Sequence, residues 1–450
     1  MSDHGGYWQR VGVVLVFGAI GALLSAGGAL AWNASPDTGP GGAPFEPGEG
    51  AGPEWGCPSP HSPVPAKISP EKSTNARVVG EHETFRVDGS AFNTTCVQVG
   101  RHCVISVEEG ARVDPAAITQ LRQDFDEIIY PLVTETFGAE TDVDGEERVY
   151  IAIIAGPGDW VGVFDPLSLL SINHKDVFYI DLKSASGAGF AATAAHEFQH
   201  LVHCGHDFDE GYMIDEGCSL YAELLYANFS TEHLPEFDVY RHHPEVSLHW
   251  PEDEYLERRN MGAHYGASGL WILYLSEQYG DLSGDPDHAH FIRDLVEEHA
   301  NGFEGVDAVL ARHGYDDRSE DIFKNWTIAN YMDDTGVNPR YGYDSIDFAA
   351  AVPVEAMVEF NAPEPNDGSY SFPPVTLPAW SAAYYTIGSD DVGNLSYTCE
   401  GNCWCQCIEE ANRTATVVVS PLNVSGDAVL TVHAEGGREH TREKYSSHGT

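Results

Sequence analysis

Basic residues are scarce in this chain. Its 450 residues include 23 lysines and arginines against 70 aspartates and glutamates, a formal net charge of -47. Only six of the basic residues are lysines: Lys67, Lys72, Lys175, Lys183, Lys324 and Lys444. A surface without a basic patch has little with which to neutralise phosphates, which sets nucleic acid aside as a partner. So many carboxylates repel one another unless salt screens them, and at molar salt the Debye length falls to about 3 Å. An acidic, lysine-poor surface around an ordinary core therefore reads as adaptation to high salt, the habit of a halophilic archaeon. No internal repeat is visible. The 42% hydrophobic and 11% aromatic content excludes a disordered chain, and the length accommodates two or three domains.

Charge is absent altogether from "VGVVLVFGAIGALLSAGGALAW", residues 11–32. At 1.5 Å per residue such a helix covers roughly 33 Å, enough to cross a bilayer. Arg10 precedes it and Asp37, Glu46, Glu49 and Glu54 follow, so the body is expected outside the cell. "ALA" at 29–31 also suits a signal-peptidase cut. Residues 1–32 are thus read as a signal peptide or an N-terminal transmembrane anchor, the only membrane contact expected. Residues 33–66, rich in Pro, Gly and Ser, form a linker that cannot bury a core. Export agrees with seven glycosylation sequons, at Asn33, Asn93, Asn228, Asn325, Asn394, Asn412 and Asn423, and with nine cysteines compatible with disulfides. Cys96 and Cys103 bracket a short stretch suited to a hairpin staple, and Cys204 and Cys218 flank a histidine-rich region whose loop they could clip. In "CEGNCWCQC" (Cys399, Cys403, Cys405, Cys407) disulfides are favoured over a metal.

Short β-type runs are expected between about 75 and 107. A helix over "DPAAITQLRQDFDEIIYPLVTETFG" follows, ending at Gly138, and then strands in "ERVYIAIIAG" and "DVFYIDL". Asp142 and Asp144 give only a fragment of a calcium loop, for which an ordinary turn is the better reading. Helices are expected at 216–229, about 264–279, 287–299 and 318–332. From about 352, Pro-punctuated alternating runs such as "AYYTIGS", "ATVVVSP" and "AVLTVHA" have the pattern of a small β-sandwich.

The chemistry concentrates in "AAHEFQHLVHCGHDFDEGYMIDEGCSLYAE", residues 194–223. In "HEFQH", His196 and His200 lie four apart on a helix, so both imidazoles reach one ion. Glu197 beside them can take a proton from metal-activated water and pass it to a leaving amine. Zinc suits two neutral imidazoles and a carboxylate with a fourth position open. Two completions are open. His206, ten after His196, has the metzincin spacing, but His203 stands where that motif needs Gly and Met213 follows closely. Glu216, expected near the start of a second helix with Asp215 at its head and Glu223 seven residues on, is held more rigidly and is favoured, with His206 as the reserve ligand. His264 and Tyr265 are the candidate donors to a developing oxyanion, and Tyr265 is preferred.

"HEFQH…DEGCSLYAE" resembles the gluzincin metallopeptidases, and more closely the hyicolysin-like branch. The likeness extends over "FDEIIYPLVTETFGAETDVDGEERVYIAII", "MGAHYGASGLWILYLSEQYG" and "DIFKNWTIANYM", roughly residues 75–335. It implies an α+β zincin-type metallopeptidase domain, placed at 67–345, with a C-terminal β-sandwich at 352–440. The implied function is an extracellular zinc metalloendopeptidase acting on protein or peptide by attack of a zinc-bound water, with His196, His200 and Glu216 as ligands and Glu197 as general base. Tyr265 matches the family's aromatic position. Asp215 replaces the family's Asn, and the His200–Glu216 connection is short. The rivals are a non-catalytic adhesion protein on the same fold and zinc hydrolysis of a non-peptide bond.

Overall fold

The computed structural model describes residues 77–434 apart from 88, 157–159, 171, 188, 252–258, 281, 284–289, 349–357, 362–368, 389–394 and 412–413. The apolar segment 11–32 and the tract 33–66 lie outside the described residues. Among the described residues no helix is long and apolar enough to cross a membrane.

A mixed sheet organises the N-terminal half. Its strands are β1 (His82–Val87), β2 (Ser90–Val99), β3 (Cys103–Glu108), β4 (Val149–Ile154), β5 (Gly162–Val163) and β6 (Val177–Asp181), in the order β1-β2-β3-β4-β6-β5. β1–β2–β3 pair antiparallel, β3–β4–β6 parallel, and β5 returns antiparallel along β6. β4 reads "VYIAII" because both of its faces are buried. Alternation along the strands sends Ile151, Ile153, Ile105, Phe178 and Ile180 into the helix-covered core. Tyr150, Ala152, Val104, Val177 and Tyr179 go to the opposite face with Phe85. There Arg77 and Lys175 lie over the Tyr150 ring, 5.2 and 4.2 Å from its centre.

The same alternation overturns the expected hairpin staple. Cys96 belongs to the second face and Cys103 to the first, so their thiols project from opposite sides of the sheet. Both are free, as are the buried Cys204 and Cys218, so the loop clip is not formed either.

Helix α1 (Pro115–Asp124) starts at Asp114, whose carboxylate accepts the Ala116 N–H at 3.0 Å. It continues through a π-turn (Phe125–Ile129) into α2 (Tyr130–Phe137). Pro131 explains the turn: it has no N–H to donate and its ring displaces the carbonyl four residues back, so Tyr130 N–H reaches Phe125 instead. The remaining helices are α3 (Leu167–Leu170), α4 (Gly189–His206), α5 (Tyr212–Tyr226), α6 (Pro235–His242), α7 (Met261–Tyr279), α8 (Phe291–Val296), α9 (Gly302–Arg312) and α10 (Ser319–Met332). Helix α5 begins four residues before the expected start because Met213 and Ile214 are themselves core residues. α6 and α9 have no counterpart among the expected helices.

Helix α7, "MGAHYGASGLWILYLSEQY", is buried nearly all round, with Trp271 packed between Trp326, Phe323 and Phe303. Gly266 makes its close crossing with α6 possible. A Cβ there would collide with the Glu236 carbonyl and lie 2.9 Å from Tyr240 Cβ. Helix propensity favours Gly266→Ala by about 1 kcal/mol, whereas overpacking costs about 1–3 kcal/mol and more where the obstacle is backbone. Gly266→Ala is therefore expected to lower the denaturant midpoint in urea unfolding at molar salt. A raised midpoint would show that the two helices separate freely.

In the C-terminal part, β7 (Val358–Asn361), β10 (Ala383–Gly388), β12 (Trp404–Ala411) and β13 (Thr414–Ser420) form one sheet, in the order β12-β13-β10-β7. β8 (Ser369–Ser371), β11 (Leu395–Glu400) and β14 (Gly426–Ala434) form another, with β9 (Val375–Leu377) also paired to β14. Ala383, Tyr385, Ile387, Val417 and Val419 of the first sheet share a core with Leu395, Ala428, Leu430 and Val432 of the second. The opposite face of the first sheet joins the main core. Tyr384 donates to the Thr327 carbonyl at 2.6 Å, and Trp380 stacks on Phe303 at 3.8 Å. Of the sequon asparagines, Asn93, Asn228 and Asn423 are exposed and Asn325 is half-buried.

Candidate metal centre

Helix α4 runs from the sheet edge with an apolar side built by Phe190, Ala194, Ala195, Phe198, Leu201 and Val202. That burial fixes its rotation and turns His196 and His200 toward α5. Their Nε2 atoms lie 3.1 Å apart. Glu216 on α5 brings Oε2 to 3.4 Å from His196 Nε2 and 3.3 Å from His200 Nε2. A tetrahedral zinc with bonds of about 2.0–2.1 Å has ligand–ligand edges of about 3.3–3.4 Å. The two spacings to Glu216 match that figure, and the histidine pair at 3.1 Å is slightly tighter. Glu216 Oε2 is also buried without a hydrogen-bond partner, an arrangement expensive unless a cation shares it. The donor set therefore fits zinc.

The rear nitrogens are held by carboxylates. His196 Nδ1 lies 2.8 Å from Glu223 Oε1, and His200 Nδ1 lies 3.0 Å from Asp215 Oδ1. A proton held on each Nδ1 leaves the Nε2 lone pair for a metal and fixes the ring plane. Burial alone would lower the His196 pKa, but the facing Glu216 and Glu223 carboxylates outweigh it and raise it to about 10. Burial likewise opposes the shift of His200, which Asp215 and Glu216 drive well above the ordinary value. Asp215 and Glu216 move below the usual carboxylate range, because the histidines overcome burial. The site thus attracts positive charge.

Glu197 is 5% exposed, and burial raises its pKa to about 7 despite His196 and His200. Its carboxylate rests against β5, where a Cβ at Gly162 would lie 2.6 Å from Oε1. Only glycine at 162 lets the acid and the edge strand approach so closely. Tyr265, near the start of α7, donates to Glu216 Oε1 at 3.0 Å and packs edge-on against Trp250 at 5.1 Å.

Other expected residues go elsewhere. His206 lies at the end of α4 with Nε2 3.0 Å from the Ala139 carbonyl, outside the cluster of His196, His200 and Glu216. His264 is buried, with Nδ1 2.9 Å from the Ser247 carbonyl. His203 is buried and faces Asp215 at 3.3 Å. At the calcium fragment, Asp142, Asp144 and Asp176 approach one another. Their oxygens serve a turn: Asp144 pairs with Lys175 at 3.1 Å, Asp142 accepts the Glu147 N–H at 2.8 Å, and Asp176 accepts from Thr141 and Val143 at 2.6 and 2.7 Å. Gly162 was not singled out by sequence reasoning, and a lone glycine opening so short a strand gives no signal.

Fold and site together define a two-histidine, one-glutamate candidate metal centre on packed helices beside a mixed α+β sheet. No family model matches the chain. It is similar to the neutral metalloprotease ShpI of Staphylococcus hyicus, with 23% identity over 283 residues, covering 57% of this chain and 63% of that protein. The chain thus spans under two thirds of the length of the curated relative it matches.

Proposed function

We propose that the chain is an extracellular, salt-adapted zinc metalloendopeptidase that hydrolyses protein or peptide substrates. The observation that carries this reading is the convergence of His196 Nε2, His200 Nε2 and Glu216 Oε2 at zinc-like spacings, with buried Glu197 next to them. The likeness to a neutral metalloprotease supports it. The chain is read as a zincin-type domain over 67–345 followed by a β-sandwich over 352–440, exported by way of residues 1–32.

His196, His200 and Glu216 would hold the zinc, which when bound supplies Lewis acidity to polarise a carbonyl and acidify water. Glu197 takes the proton from the attacking water and returns it to the departing amine. Burial raises its pKa, toward the range in which one carboxyl can accept and return a proton. The Tyr265 hydroxyl, which here donates to Glu216 Oε1, would give up that bond to donate to the developing oxyanion. β5 ends the sheet order, and an extended peptide added along its outer side would pass next to Glu197.

The test is casein hydrolysis at molar salt. Cleavage is expected to stop with a chelator and return with added zinc. Folded protein that binds no zinc would overturn the reading and favour the adhesion alternative. Activity indifferent to chelation would remove the metal from the mechanism.

A further inference from the structure

Residues 243–250, which follow α6, form neither helix nor strand, yet Pro244, Val246, Ser247, Leu248 and Trp250 are buried. Buried backbone outside regular structure must find its hydrogen bonds in other parts of the chain. Here the C-terminal sheets supply them, through the connection 378–382 between β9 and β10. Leu248 N–H donates to the Trp380 carbonyl at 2.8 Å, and Ala382 N–H to the Pro244 carbonyl at 3.2 Å. Ser247 Oγ, 2.8 Å from the His249 carbonyl, donates to the nearer Ala379 carbonyl at 2.6 Å.

Trp380 stands at the centre of this corner. Its backbone lies in the left-handed region, at φ +56°, which a bulky residue rarely adopts. Contacts on three sides hold it there. Its N–H donates to the Pro421 and Leu422 carbonyls at 2.9 and 3.0 Å, and its carbonyl accepts from Leu248. Its ring, stacked on Phe303, meets Phe323 edge-on at 5.3 Å. The same loop also reaches the metal centre. The Ser247 carbonyl lies 2.9 Å from His264 Nδ1. The Trp250 indole donates to Ser268 Oγ at 2.9 Å, and its ring packs on Tyr212, at the start of α5, and on Tyr265. Tyr265 in turn donates to Glu216.

We propose that Trp380 is a positioning residue for the peptidase centre. From the C-terminal sheets it fixes the loop 243–250, and through Trp250 that loop fixes the place of the Tyr265 hydroxyl. The catalytic consequence rests on the peptidase reading, whereas the link from Trp380 to the loop does not. A donor that must leave Glu216 for a developing oxyanion needs a fixed wall behind it, since a misplacement of about 1 Å can cost about 10²-fold in rate. The C-terminal sheets are then a working part of the centre.

Amide hydrogen exchange on the zinc-free full chain at molar salt tests the link. In Trp380→Leu, residues 245–250 and 263–268 are expected to lose protection while β4 keeps its own. Unchanged exchange in both segments overturns the proposal. Protection lost to the same extent in β4 overturns it too, because Trp380 would then serve general stability. If Trp380→Leu fails to fold, Ser247→Ala, which lacks the hydroxyl bound to the Ala379 carbonyl, serves for the same comparison. The zinc-loaded enzyme gives a second readout. Trp380→Leu is expected to lower kcat on a fluorogenic peptide about tenfold with zinc content unchanged, and Trp380→Phe to restore most of it. In a Tyr265→Phe background the same Trp380→Leu change is expected to cost less than about twofold, because both act through one hydroxyl. Equal losses in the two backgrounds overturn the positioning role. If wild-type protein cuts no peptide while Trp380→Leu still loses protection at the two segments, the peptidase reading fails and the link from Trp380 to the loop is supported.

Discussion

Glu197→Gln is expected to give a folded, zinc-loaded protein whose kcat on a casein-derived fluorogenic peptide falls by about 10²–10⁴-fold, the range associated with positioned acid–base groups. Glutamine fills the same volume against β5, so the contact with Gly162 survives. What it cannot do is accept the proton from water and return it to the amine. Glu197 is not among the three converging donors, so zinc content should stay at the wild-type value. KM is expected to move little, because the lost interaction belongs to the transition state. Retention of more than a tenth of the wild-type kcat would exclude Glu197 as the base.

The second large effect concerns the third ligand. Glu216→Gln is expected to weaken zinc binding by more than the about 10–100-fold typical of losing an outer-shell partner, measured by competition with a chromophoric chelator. The carboxylate oxygen facing both Nε2 atoms becomes a neutral amide, and the acidic bias of the site drops by one charge. His206→Ala is expected to leave zinc affinity unchanged, since its imidazole meets the Ala139 carbonyl. The opposite pattern, with affinity lost in His206→Ala and kept in Glu216→Gln, would reinstate the metzincin-type completion.

Much of the architecture follows from local pattern. The fully apolar "VYIAII" could only be a strand buried on both faces, and the spacing of His196 and His200 places both on one side of a helix. The helix over 115–137 and its end at Gly138 were legible for the same reason, although the π-turn forced by Pro131 was not. The candidate ligands and base were legible as well, because each sits within one or two turns of "HEFQH" or on the helix that follows.

By itself, the sequence determined the acidic, lysine-poor character of the chain, the periodicity of its main strands and helices, and which residues could bind a metal. Only the tertiary structure decided their partners. Glu223 is seven residues beyond Glu216 in sequence, and its role behind His196 depends on how α5 packs on α4. Cys96 and Cys103 are close in sequence yet lie on opposite sheet faces, because strand pairing sets which way each points. His203 is buried in α4 and shares Asp215 with His200. Periodicity is a property of consecutive residues, whereas register, helix crossing and shared carboxylates arise between segments distant along the chain, and packing alone brings those together.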